Sequence, residues 1–245
     1  MLTPITEAQQ RFENLWRAGR QKLLAGHIVA ARMDGVTTIP VDYCLSTVAF
    51  IDKQPQNPME RIETIKSELY AEIGPNQFFY PRPSLHISLL GCTQRFPSKE
   101  VFTTDRIKRV FQVCAKTIEG VGVRKMTLRS LNIVGNQIFI QVFPHDRRWA
   151  ELRQALEAEL AAIGESPLTH PDKAPIHLNL IRITDNNPEK LRRLGQALER
   201  LRNIEIGELQ VSNIDLVRTD FVISAAHTDF WGNISLIKGG FFCQS

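Results

Sequence analysis

The feature that most restricts the fold of this 245-residue chain is an order of elements that occurs twice. Tyr43–Ile51 is an apolar, β-branched run of strand length, and Pro55 to Pro58 interrupts it. Met59, Ile62, Ile65, Leu69 and Ile73 then recur at helical spacing until Gly74-Pro75. A short strand follows at Leu85–Gly91, then a helix that Thr104 and Asp105 can cap, then a strand at Arg124–Val134. The second half runs in the same order. Gln137–Phe143 alternates as a strand, and Trp149, Leu152, Leu156, Leu160 and Ile163 share a helix face behind Asp146. Pro175–Ile183 is a short strand, Asn187-Pro188 opens a helix, and Glu208–Val217 reads as the closing strand. An internal duplication accounts for the parallel. The alternative is an ordinary α+β domain whose halves look alike because strands and helices alternate.

Duplication predicts an α+β, bilobal fold: two mainly antiparallel sheets lining a central groove, with helices outside. The expected division is a helical extension over 1–40 and one bilobal domain over 41–245. Its lobes are 41–134 and 135–220, and C-terminal segments at Phe221–Ser224 and Ile234–Ile237 extend the sheets. In the extension, Phe12, Leu15 and Trp16 share one side of a helix over 5–20.

The two short strands carry the chemistry. Alternate residues of a strand face the same way, so His86 and Ser88 point together, with Leu85, Ile87 and Leu89 opposite. His177 and Asn179 do the same, with Ile176, Leu178 and Leu180 opposite. Histidine titrates near neutrality, so one ring can act as base while the other holds a proton. Phosphodiester cleavage uses both, and Ser88 and Asn179 can donate hydrogen bonds to the non-bridging oxygens. For either motif alone, the plain reading is a sheet-surface histidine satisfied by a neighbour.

His-x-Ser and a second, similar strand, one per half, resemble the two-histidine (2H) phosphoesterase superfamily. That group includes RNA 2′,3′-cyclic phosphodiesterases and the so-called 2′–5′ RNA ligases. The resemblance covers roughly residues 40–220, and the added N-terminal helix and C-terminal tail look most like an uncharacterised bacterial branch. It implies catalytic roles for His86 and His177 and phosphate contacts for Ser88 and Asn179. Asn179 departs from the hydroxyl residue usual in the family. It still donates, but it is bulkier and cannot shuttle a proton. The implied function is metal-independent hydrolysis of a cyclic phosphate or phosphodiester on a nucleotide or RNA end. The alternatives are a nucleotide- or RNA-binding protein with a degenerate site, and an assembly protein whose histidines are incidental.

Phe78, Phe79, Tyr80 and Arg82 lead into the first motif strand. Tyr80 and Arg82 are candidates to stack on a base and pair with a phosphate, against an equally good reading as a Pro-framed aromatic plug. Arg218, at the end of the closing strand, is a candidate phosphate clamp. Arg182 falls on the face opposite His177 if its strand is regular. His170 is a candidate for the groove rim.

Cys44, Cys92, Cys114 and Cys243 form no Cys-x-x-Cys pair, so buried thiols are expected rather than a zinc site or disulfides. No metal-ligand spacing, Walker loop, dinucleotide-binding glycine loop or nucleophile elbow occurs, and no cofactor is expected. A net charge of +4 and a pI near 9.0 suit an anionic partner. The apolar runs are strand-sized and the N-terminal stretch is charged, so a cytoplasmic monomer without a membrane segment is expected.

Overall fold

A computed structural model describes residues 4–34, 37–168, 175–237 and 241–243; His170 lies outside them. The helices are α1 (Pro4–Leu24), α2 (Met59–Ile73), α3 (Thr104–Ile118), α4 (Arg148–Ala162) and α5 (Pro188–Arg200). The strands are β1 (Cys44–Phe50), β2 (Phe78–Phe79), β3 (His86–Gly91), β4 (Arg124–Val134), β5 (Gln137–Pro144), β6 (His177–Arg182), β7 (Glu205–Val211), β8 (Asn213–Thr219), β9 (Asp229–Ser235) and β10 (Phe241–Cys243). They form two five-stranded antiparallel sheets, β10-β9-β8-β1-β3 and β2-β6-β5-β4-β7. Helices α3 and α4 flank the first sheet, and α2 and α5 pair beside the second. The fold is α+β with two antiparallel sheets, as the element order predicts.

Local chemistry explains most boundaries. The apolar stripe of α2, Met59 to Ile73, is buried as its spacing predicts. The helix stops at Gly74, whose φ of +72° suits glycine and whose N–H donates to the Tyr70 carbonyl. Asn187 caps α5 by accepting from the N–H groups of Glu189 and Lys190, with Pro188 in the first turn. Thr103, one residue earlier than expected, caps α3.

The sequence halves and the sheets do not coincide. β4 belongs to the first half in sequence, yet it pairs with β5 and β7 in the second sheet. The closing strand expected at Glu208–Val217 is two strands in different sheets. β7 ends beside β4, the chain passes through buried Ser212, and β8 starts beside β1 and β9. Gln54 makes this crossing possible. Its buried Oε1 accepts from Ser212 N–H at 2.9 Å, and its Nε2 donates to the carbonyls of Phe50 (3.0 Å) and Asn213 (3.2 Å). An apolar run of strand composition cannot announce such a break, because the partner that permits it is remote in sequence.

The duplication is visible in the register. Ser88 pairs with Val48, but the next pair is Leu90 with Thr47, so Leu89 is bulged out. Asn179 pairs with Phe139, and the next pair is Ile181 with Ile138, so Leu180 is bulged out. One offset in sequence relates His86 to His177, Ser88 to Asn179, Val48 to Phe139 and both bulges.

Helix α1 packs along the C-terminal part of β4, where β7 no longer pairs. Gly19 permits the approach: a Cβ there would meet the Ile133 carbonyl oxygen at 2.5 Å. Asn132 Nδ2 donates to the Phe12 carbonyl (2.8 Å), and the Phe12 ring packs on Phe143 at 5.3 Å. No described helix is long and apolar enough to cross a membrane.

Removing the clamp between the sheets tests this account. Gln54→Ala strands the buried Ser212 N–H, which should cost about 1–3 kcal/mol in urea denaturation. Unchanged stability would show that the crossing is held by other groups.

Candidate active site

The motif strands meet. β3 is the edge of the first sheet and packs beside β6 of the second. His86 opens β3 opposite Phe50, and His177 opens β6 opposite Gln141. Each ring lies near an aromatic neighbour, Phe50 at 6.4 Å and Phe139 at 5.2 Å between centroids.

Both imidazoles are held by the same device. His86 Nδ1 faces the Ser84 carbonyl at 2.7 Å, and His177 Nδ1 faces the Pro175 carbonyl at 2.9 Å. A carbonyl only accepts, so Nδ1 carries the hydrogen in both rings, and the neutral imidazole keeps its lone pair on Nε2. For His86 the carbonyl belongs to the 3₁₀ turn Arg82–Ser84, which Ser84 Oγ closes by donating to the Pro81 carbonyl.

Burial makes both rings weak bases. His86 is buried, and desolvation of its cation lowers its pKa to about 4; His177 lowers it further, and the Ser84 carbonyl opposes. His177 is half-buried, and its pKa falls through desolvation, with Arg153 and Arg182 adding to the fall and the Pro175 carbonyl opposing it. That His86 responds to the charge of His177 means the two rings share one electrostatic neighbourhood.

Ser88 is exposed on the His86 face. Asn179 is half-buried on the His177 face, and its buried Oδ1 has no hydrogen-bond partner among the described residues.

Two expectations are corrected. Tyr80 is fully buried, and its hydroxyl accepts from Arg182 Nε at 2.9 Å. It is the aromatic plug rather than a base-stacking ring, because β2 carries the segment onto β6, where Tyr80 N–H donates to the Leu180 carbonyl. Arg218 pairs in register with Leu45, whereas Val48 and Phe50 accompany the histidine face. Strand alternation therefore sends Arg218 to the other face, where it ion-pairs with Asp229 at 2.9 Å. Arg82 is exposed in the turn ahead of His86 and has no hydrogen bond or ion pair from its side chain among the described residues.

Arg182 moves the opposite way. The bulge at Leu180 resets the alternation, so Arg182 faces the same side as His177 and Asn179. Two further residues went unread in the sequence. Gln141, the register partner of His177, is buried, and its Nε2 has no partner among the described residues. A glutamine inside the apolar run Ile138–Phe143 was the available signal. Arg153 of α4 is buried near enough to His177 to depress its basicity.

Cys44, Cys92 and Cys114 are buried free thiols, as expected, and the Cys243 side chain lies outside the description. Among the described residues no three His, Cys, Asp or Glu side chains converge as a metal site requires. A cavity of about 780 Å³, lined by Met33, Tyr70, Phe78, Phe79, Pro81 and Ala225 among others, lies to the side, and neither histidine lines it.

Two antiparallel sheets with one His-x-(Ser/Asn) strand each, meeting side by side, are the arrangement that the resemblance to the two-histidine phosphoesterases implies, and the similarities found among known proteins support that superfamily. It is 24% identical over 119 residues to the RNA 2′,3′-cyclic phosphodiesterase of Methanothermobacter thermautotrophicus; the match covers 47% of this chain and 62% of that enzyme. Its fold is that of the protein TT0787 of Thermus thermophilus (TM-score 0.54, 15% identity, covering 80% of this chain and all of that one). A conserved protein of unknown function from Agrobacterium tumefaciens shares it too (TM-score 0.57, 11% identity, 89% and 97% covered). No family model matches.

Imidazole NMR tests the site directly. Both histidines should appear as the Nδ1–H tautomer, with His86 titrating near pH 4 and His177 below 6.5. Each folded pKa lies below its unfolded value, so the unfolded chain takes up these protons first. Stability should therefore fall as pH drops from about 6.5 and level off near pH 4. An ordinary titration of His86 at 6.5 would refute the buried, carbonyl-locked ring.

Proposed function

We propose that this chain is a phosphodiesterase that opens a 2′,3′-cyclic phosphate on a nucleotide or RNA end without a metal ion. The observation that carries the reading is the matched pair of imidazoles, each with Nδ1 tied to the carbonyl two residues upstream and Nε2 left for chemistry. The named activity of the Methanothermobacter relative supports the substrate class.

In this reading a water oxygen attacks phosphorus while one Nε2 removes its proton. The other histidine, entering as imidazolium, protonates the ribose oxygen as the P–O bond breaks, leaving a phosphomonoester. His86 is the better candidate base, since burial keeps it neutral to about pH 4. His177, half-buried, is the better acid, because a cation there loses less hydration. The anionic phosphate between them raises both pKa values on binding. Ser88 Oγ–H and the amides of Asn179 and Gln141 are the donors available to the non-bridging oxygens, where charge grows in the transition state.

With 2′,3′-cyclic nucleotides, kcat/KM should be bell-shaped in pH and peak below 6.5, since both free-enzyme pKa values lie below that. The kcat profile should lie higher in pH than that of kcat/KM. His86→Ala and His177→Ala should each lose on the order of 10²–10⁴-fold, and the double variant far less than the product. Wild-type rates in both single variants would end the proposal. Activity should survive exhaustive EDTA treatment; loss restored by a divalent ion would contradict the metal-free reading. Asn179→Thr adds the hydroxyl that the first motif carries at Ser88, and a faster variant would show that the amide limits turnover.

A further inference from the structure

Helix α1 has no role in this mechanism, yet it reaches the second histidine. Phe139 pairs with Asn179, so alternation places it on the histidine face of the second sheet. Its ring is buried and lies 5.2 Å from that of His177. Phe12 of α1, also buried, packs on Phe139 at 6.1 Å and on Phe143 at 5.3 Å between centroids. The three rings form a small cluster apart from the main core.

The backbone of the helix grips the same line of residues. Asn132, Phe139 and Asn179 are register partners across β4, β5 and β6. Buried Asn132 donates its Nδ2 to the Phe12 carbonyl at 2.8 Å. One residue of α1 therefore engages two members of the rung that ends in the second motif. The next rung is Arg129, Gln141 and His177. The close approach of Gly19 to Ile133 and an ion pair between Glu13 and Arg202 hold the helix in place.

The first half uses the same device. Val48, the partner of Ser88, is the equivalent of Phe139, and Ile223 covers it from the loop after β8. Ile223 sits at φ +54°, a costly conformation for a β-branched residue. In each half a segment outside the duplicated frame presses one apolar side chain onto the strand that backs the motif. Recurrence at equivalent positions ties these plugs to the motif strands rather than to filling the core.

We propose that Phe12 is a positioning residue for the second histidine: by pinning Phe139 it fixes the seat of the His177 imidazole, so that α1 acts on the reaction without touching the substrate. The inference rests on the phosphodiesterase reading, in which His177 must hold one orientation as it delivers a proton.

Two readouts on the full chain test it. Phe12→Leu keeps an apolar plug but no ring, and Phe12→Ala keeps neither. With Phe139 loosened, water reaches His177, so its imidazole titration should move up towards 6.5, further in Phe12→Ala than in Phe12→Leu. The charged groups facing that ring, Arg153 of α4, Arg182 of β6 and His86 of β3, are unchanged in both variants, and His86 should still titrate near pH 4. In Phe12→Leu, kcat for a 2′,3′-cyclic nucleotide should fall about tenfold with KM nearly unchanged, because misplacing a catalytic group costs rate rather than binding. Leu23→Ala is the control. A Cβ on Gly195 of α5 would meet Leu23 Cδ2 at 3.5 Å, so this change weakens the same helix away from Phe139. It should leave the His177 titration and kcat at their wild-type values. A wild-type titration and kcat in Phe12→Leu would overturn the inference, whether or not Phe12→Ala folds. An equal shift in Leu23→Ala would overturn it too, by making α1 a general prop. Wild-type protein inert on every 2′,3′-cyclic nucleotide would instead overturn the phosphodiesterase reading, and the role of Phe12 with it.

Discussion

The site depends on the antiparallel pairing of each motif strand with one apolar partner, β3 on β1 and β6 on β5. That pairing sets which face each histidine takes, and it ends in a bulge at the same place in both halves. The leucines opposite the motif anchor the strand in the core, while the bulged leucine absorbs one residue and resets the alternation. Without the bulge at Leu180, Arg182 would point into the core, and the groove would lose a cation beside His177.

The duplicated frame has diverged in what it displays. At equivalent positions the first half has Phe50, Ser88 and Gly91, and the second has Gln141, Asn179 and Arg182. The second half thus concentrates amides and positive charge around its histidine, with Arg153 of α4 added. The first half contributes an apolar wall, a hydroxyl and the more deeply buried ring. In the proposed reaction, a phosphate lying between the strands would meet donors chiefly from one side and a neutral base from the other. That asymmetry is the ground on which the proposed mechanism assigns two similar histidines different tasks.

Burial that weakens both imidazoles would also couple the site to the anionic substrate of the proposed reaction. In the free protein the rings resist protonation because their cations are desolvated and because Arg153 and Arg182 repel charge at His177. A bound anion would supply the missing compensation, so in the proposed reaction proton uptake and binding go together. The Nε2 of Gln141 fits the same logic: a buried donor without a partner among the described residues is a position at which an anionic ligand could accept.

The sequence by itself determined the element order, the α+β class and the two histidine strands, because these rest on local patterns. Alternation marked His86 with Ser88 and His177 with Asn179, and helical spacing marked the stripe of α2. Tertiary structure decided what depends on partners remote in the chain. The break at Ser212 exists because Gln54 satisfies its backbone. Tyr80 is buried because β2 joins β6, and Arg218 turns away because its register with Leu45 sets its face. Arg182 enters the groove because a bulge, formed only when β6 meets β5, shifts it across the sheet. Alternation is a property of one strand and can be read from it. Bulges, crossings and register belong to pairs of strands, and no single strand's sequence carries them.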